Sequence, residues 1–471
     1  MKRNAIKGLV TVFLATALGC QSETLYDQGW VTPRPLAADV ASHRPPARPL
    51  GAGEVAGAIP GIEGVVTARS ALAAALLHNP NLQSFSWEMR VREARALQAG
   101  LRPNPEVGIE IENFAGSGAT SGFDSAETTA LLSQLIPLGG KTTKRRRVAE
   151  LDRDLAGWDY EAARLDLATK VAVALVGVEA AQRREHLAVD KLEIARQLYA
   201  AADQKVLAGA APPLERTRAT VLQETSRIGV RRARQALAAA RHDLAATWGA
   251  ERPVFERVAV DLQRIRPIPA YDVIRARLPQ SPRLARWATE ISRREAQVDL
   301  ARAGRVADVT AGAGVRRLEQ SDDTAAVVEF SVPLALFDRN QGGILEARYA
   351  LAKARAQEQV EHLDARTALA RAHQELDTAF IEAAALRDTV LPAAQQAFAA
   401  VNKSYRAGQS SYLQVLDAQQ SFFDARDRYI EALAAYHGAV AAVEGMTGQP
   451  LHDSPDENGS GSRQETNGDQ P

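Results

Sequence analysis

The chain has 471 residues, with 57 Lys and Arg balanced by 57 Asp and Glu and a pI near 7.1. Such a neutral chain has no charge excess with which to hold a phosphate backbone, so nucleic acid is excluded as a main partner. A single cysteine rules out an internal disulfide and a cysteine cage for a metal, while 5% aromatics beside abundant Ala, Leu, Arg and Glu favour long helices over one large mixed core.

Residues 1–19 read as a signal peptide. Lys2, Arg3 and Lys7 make its start positive, and the apolar run from Leu9 to Leu18 is too short to span a bilayer. It ends in ALGC (17–20), a small residue directly before the only cysteine. This ending resembles the lipobox of bacterial lipoproteins, with Ala17 where leucine is usual. The resemblance implies that Cys20 becomes the acylated N-terminus of the mature protein. Gln21 after it, rather than Asp, implies delivery to the outer membrane. Residues 20–65 are rich in Pro, Gly and Ala and are expected to form a lipid-anchored, extended arm. No later segment is apolar for long enough to make a transmembrane helix, so a membrane role requires a closed β-barrel or the anchor.

The body repeats itself, as 66–265 and 266–450. HNPNL (78–82) matches PQSPRL (279–284), and IPLGG (136–140) parallels VPLALF (332–337). LAGAAPPL (207–214) matches RAGQSSYL (406–413), and ATWG (246–249) matches GMTG (445–448), both pairs 199 residues apart. Each half carries the order helix, two strands, long helix, turn, helix. Helices are expected over 67–101, 140–207 and 212–248, then over 281–304, 338–406 and 411–447. Leu151, Leu155, Trp158, Ala162 and Leu165 step by 4, 3, 4, 3, a coiled-coil seam. Pro392 is expected to kink the long helix of the second half. Two shorter helices should stack beside each long one. AGAAPP (208–213) and AGQSS (407–411) are then hairpin turns, with Gly209 and Gly408 as left-handed helix ends. The last stretch, 451–471, reads as a disordered tail.

Four segments alternate with period 2: 106–115, 126–136, 307–316 and 324–333. In the first, Val107, Ile109 and Ile111 oppose Glu106, Glu110 and Glu112. Segments of ~10 residues suit tilted membrane strands. Four strands are too few to close a membrane barrel, since the smallest need about 8, and open edges do not survive in lipid. Three copies would close a barrel of 12. KTTKRRR (141–147) reads as a solvated helix face, or as a contact for lipid headgroups or lipopolysaccharide phosphates. His186, His242, His362 and His373 form no i, i+4 pairs, and no phosphate loop or nucleophile elbow is present, so neither a resident metal, a cofactor nor catalysis is expected.

ARSALAAALLHNPNL (68–82), LRPNPE (101–106), SYRAGQSSYLQVLDAQQSFFDARDRY (404–429) and the duplication resemble the TolC-type outer-membrane factors over nearly all of 67–448. QLIPLGGKTTKR (134–145) and FSVPLALFDRNQGG (330–343) look like its heavy-metal branch, the cobalt–zinc–cadmium type. The resemblance implies a mainly α homotrimer with a small transmembrane β part, in which a 12-stranded barrel in the outer membrane continues as a coiled-coil tunnel in the periplasm. It implies hairpin tips at Gly209, Ala210, Ala407 and Gly408 that dock a periplasmic adaptor, itself joined to an inner-membrane resistance-nodulation-division pump. It also implies a constriction by Tyr405 and Asp417, with Gln414 where the family has a first Asp. The competing reading is the periplasmic coiled-coil adaptor itself. Adaptors also have long helical hairpins and lipid anchors, but they do not duplicate a whole helix–strand unit.

Overall fold

The computed structural model describes residues 30–47 and 61–452; Cys20 and the tail from 453 onward lie outside them. In the first half, α1 (Ala68–His78), α2 (Pro80–Ala99), α3 (Lys141–Leu207) and α4 (Pro213–Ala246) follow one another. In the second half come α5 (Tyr271–Arg277), α6 (Pro282–Ala303), α7 (Gln341–Ala385), α8 (Leu391–Arg406) and α9 (Tyr412–Thr447).

The 67 residues of α3 contain no proline, and at 1.5 Å each they extend about 100 Å. Its buried positions include Leu151, Leu155, Leu165, Val171, Leu175 and Val178, a stripe at helical spacing. Trp158 and Ala162 of the expected seam are only half-buried. Along this stripe α3 packs against α1, α2 and α4 of its own half and against α6 and α9 of the other. In the second half α6 and α9 lie along α7, and α9 continues along α8.

Two helices differ from expectation. The segment 67–101 is two helices, because Asn79 leaves the helical region (φ −61°, ψ 120°) and starts a new one. Its side chain accepts from the N–H of Leu82 at 2.9 Å. Pro80 then occupies the first turn, where no N–H is needed. The segment 338–406 begins at Gln341 and runs unbroken to Arg406 through one π-turn, Leu386–Val390. Leu391 N donates to Leu386 O across that turn. The wide turn absorbs Pro392, whose missing N–H and bulky ring would otherwise break the ladder.

Residues 30–47 do not form a free arm. They strap across the helices, held through their backbone. Leu36 N donates to Gly448 O at 3.1 Å and His43 N to Leu76 O at 2.9 Å. Tyr160 Oη donates to His43 O at 3.2 Å, and Arg90 Nη2 to Pro45 O at 2.8 Å. Arg164 reaches the carbonyls of Arg34, Leu36 and Ala37 at 3.2, 3.0 and 3.1 Å. It also pairs with Glu161 at 2.7 Å, both side chains only 2% exposed. Gly448 takes φ +69°, and a β carbon there would lie 3.2 Å from the Arg34 side chain, so any other residue would strain the backbone and push on the strap.

There are two sheets among the described residues. β1 (Gly64–Val66) pairs in parallel with β4 (Phe255–Val258), a short tie that period-2 reading did not anticipate. β2 (Glu106–Glu112), β3 (Glu127–Ile136), β5 (Val309–Leu318) and β6 (Asp323–Ser331) form an antiparallel sheet in the order β2-β3-β5-β6. Strands from the two halves thus meet at β3 and β5. No described helix is long and apolar enough to cross a membrane.

Candidate functional site

Two regions carry the expected functional residues: the four-stranded sheet at one end of the helices and the paired hairpin turns at the other.

In the sheet, directly paired residues share a face. Val107, Leu132, Ala313 and Val328 line up across it, as do Ile109, Ala130, Val315 and Ala326. The opposite face carries Glu106, Ser133, Gly312 and Glu329 in one row and Glu110, Thr129, Arg316 and Ala325 in another. Arg316 is tied to Glu127 at 3.1 Å and to Thr129 Oγ1 at 3.0 Å. One face is therefore apolar and the other polar and largely acidic. Nothing among the described residues covers the apolar face: Val107 is 74% exposed and Phe330 74%. The outer edges of β2 and β6 have no strand partner among the described residues.

At the far end, α3 and α8 stop in the same way. Gly209 (φ +69°) and Gly408 (φ +77°) follow the C-cap residues Ala208 and Ala407. Ala210 N donates to Lys205 O at 2.8 Å, and Gln409 N to Ser404 O at 2.9 Å. These six-to-one bonds make both ends Schellman caps, which need a left-handed residue. A β carbon at either glycine would meet nothing, so backbone conformation alone selects them.

The expected constriction residues are placed differently from one another. Tyr405 is buried between the two hairpins of its own protomer, packed with Leu198, Ala202, Ala219, Phe398, Tyr412 and Val415. Its hydroxyl donates to Glu215 Oε2 over a long 3.4 Å. Lys205 Nζ donates to Tyr405 O at 2.7 Å and stands 3.6 Å from the ring centroid. Burial, with the Glu215 charge and hydrogen bond added, pushes the Tyr405 phenol up to about 12. Burial does the same to Tyr412, again to about 12. Both phenols are neutral at physiological pH.

Gln414 closes a capping box: its Oε1 accepts from Ser411 N at 2.9 Å, and its own N–H donates to Ser411 Oγ at 3.4 Å. Asp417 is exposed, one turn further along the same helix, and has no hydrogen bond or ion pair among the described residues. Sequence reasoning missed Lys205, Glu215 and Tyr412. For Glu215 a signal existed: 414 minus 215 is 199, the repeat offset, so it is the counterpart of Gln414 at the third position of its helix.

Among the described residues no group of three or more His, Cys, Asp and Glu is placed to hold a metal ion. Open hollows on the described surface are helix-to-helix grooves, one near the tip lined by Leu198, Phe398 and Tyr405 and another lined by Asp159, Asp166 and Arg283.

Comparison with known proteins agrees with this architecture. CzcC, the cobalt-zinc-cadmium resistance protein of Cupriavidus metallidurans, is 34% identical over 361 residues, 76% of this chain and 84% of its own length. CnrC, the nickel and cobalt resistance protein of the same organism, is 29% identical over 64% of this chain and 71% of its own. A crystal structure of CusC superposes with a TM-score of 0.69 at 18% identity, over 87% of this chain and 99% of that one. The model of the outer membrane efflux protein family matches residues 71–250 and 273–449, one stretch in each repeated half, and the chain belongs to that family.

Proposed function

We propose that three copies of this chain, each anchored through an acylated Cys20, form a passive outer-membrane duct for heavy-metal cations. The duct is the last stage of a tripartite system, fed by an inner-membrane resistance-nodulation-division pump. A periplasmic adaptor joins the two by docking on the turns around Gly209, Ala210, Ala407 and Gly408.

One observation carries this reading: a four-stranded sheet with an apolar face, an acidic face and two unpaired edges, mounted on helices of about 100 Å. Unpaired edges are not tolerated in lipid, and only closure by sister copies removes both. The apolar face then meets lipid and the row of Glu106, Glu110 and Glu329 lines a wet lumen. The names of the relatives at 34% and 29% identity support metal cations as cargo. At the tip, Asp417 is a free carboxylate, and three of them would attract cations at the mouth.

Detergent extraction of outer membranes should yield a heat-modifiable trimer that conducts in planar bilayers with cation preference. Asp417→Ala should lower that preference. Loss of the gene should sensitise its host to cobalt, zinc or cadmium. A mature protein that stays monomeric and soluble without detergent sinks the proposal.

A further inference from the structure

The four helix ends nearest the sheet gather into one collar. Lys141 Nζ and Leu138 N both bind Asp308 Oδ1, at 2.7 and 2.9 Å, joining the start of α3 to the start of β5. Asn340 Nδ2 donates to Ala301 O at 2.7 Å, joining the start of α7 to the end of α6. A β carbon on Gly100, just past α2, would lie 3.1 Å from the Arg146 side chain.

The collar's carboxylates are mostly spent. Asp308 pairs with Lys141, Glu150 with Arg146 at 2.8 Å, and Asp299 with Arg302 at 3.1 Å. Asp338 is used in capping Asn340 N at 2.8 Å. Among the described residues, Lys144, Arg145, Arg305 and Arg339 remain without a carboxylate within ion-pair distance. Arg145 and Arg339 hydrogen-bond only to neutral groups, Thr142 Oγ1 and Ala335 O, both at 3.3 Å, though the Arg145 charge also acts through space on Asp308. Beside them the link from β6 to α7 turns apolar side chains to the outside: Leu334 is 78% exposed and Phe337 90%.

Unpaired cations around exposed leucine and phenylalanine are the chemistry of a headgroup layer, where phosphates sit just above acyl chains. We infer that this collar binds anionic glycerophospholipid of the leaflet facing the periplasm. Lys144, Arg145, Arg305 and Arg339 meet the phosphates, and Leu334 and Phe337 enter the acyl boundary. The inference rests on the outer-membrane reading, since the collar lies where the apolar sheet ends. Charge complementarity selects the occupant: a neutral lipid leaves the four cations unmatched. Attraction of this kind also fixes the height of the sheet in the bilayer.

The test places the full mature protein in nanodiscs of phosphatidylethanolamine, with or without phosphatidylglycerol, and counts co-purifying lipid by native mass spectrometry. The wild type should retain phosphatidylglycerol over phosphatidylethanolamine. Replacing Lys144, Arg145, Arg305 and Arg339 together by Gln should erase that preference, by about fivefold in affinity for each charge. Leu334→Ser with Phe337→Ser should weaken retention of both lipids and leave the trimer intact. Equal retention of both lipids by the wild type overturns the proposal. So does competition by free glycerol phosphate as strong as by the lipid, which would make the site a soluble-phosphate site. Collapse of the trimer in the Leu334/Phe337 variant also overturns it, because a neighbouring copy then covers the loop. A protein that never enters nanodiscs overturns the outer-membrane reading itself; one that enters and ignores phosphatidylglycerol overturns only the lipid site.

Discussion

Tyr405 shows how one side chain couples two hairpins far apart in sequence. Its phenol titrates near 10.0 in a free chain and near 12 when folded. Folding is therefore helped by the neutral form, fully below pH 10, and the contribution is lost as pH rises through about 12. Tyr405→Phe removes one hydrogen bond to a charged group, and thermal melting should show a loss of about 1 kcal/mol. The same variant should lose part of the alkaline sensitivity between pH 10 and 12 and keep the part due to Tyr412. Arg164 is a second such residue. Arg164→Leu leaves Glu161 buried without its cation and frees three strap carbonyls. The expected cost is about 3–5 kcal/mol, with new protease cleavage inside 30–47. Replacing Arg164 and Glu161 together by Leu and Met should cost much less, since no orphan charge is left. Neither partnership could be read from the sequence. Arg164 and Glu161 look like any surface i, i+3 pair on a helix rich in them, and Tyr405 meets Glu215, 190 residues away, only because the two turns fold to the same end.

At the scale of elements, the features set by local chemistry were readable and those set by tertiary contact were not. The length of α3 follows from the absence of proline, and the positive φ of Gly209 and Gly408 from glycine just beyond the helical pattern. Period-2 alternation located β2, β3, β5 and β6 to within a few residues. The break at Asn79 was readable and was passed over, for Asn–Pro is a start signal that the apolar pattern on both sides obscured. The strap gave no signal, because its hold comes from main-chain groups and not from patterned side chains. The π-turn, too, needed the structure. It holds one residue more than an α-turn, so in a Pro392→Ala background deleting Asp388, exposed and paired only with its neighbour Arg387, should restore plain helix and leave Tyr405 in phase. Deleting Glu375 from the regular part of α7 instead rotates all that follows by about 100° and unseats Phe398 and Tyr405. Melting of the two variants should differ, with the Asp388 deletion close to wild type and the Glu375 deletion severely destabilised.

On the scale of the whole molecule, the two faces of the sheet predict opposite outcomes for neighbouring substitutions. Val328→Arg puts a charge on the apolar face, where about 2–4 kcal/mol at mid-membrane should sharply reduce trimer recovered from outer membranes. Glu329→Lys, one residue on, faces the other way and should leave recovery unchanged while shifting reversal potential toward anions. The strap adds a constraint on geometry. Trp30 stacks edge-on against Tyr160 at 5.0 Å, and Tyr160 lies about 28 Å along α3 from its membrane-side start at Lys141. Trp30 lies ten positions after Cys20, and a chain of ten such steps reaches at most about 33–36 Å. Under the proposed acylation of Cys20, the acyl group would have scarcely more tether than the climb back to the bilayer requires. The leash works as a depth gauge: trimming a few residues between 21 and 29 should strand the lipid short of the membrane and lower the amount of protein seated there, with the fold untouched.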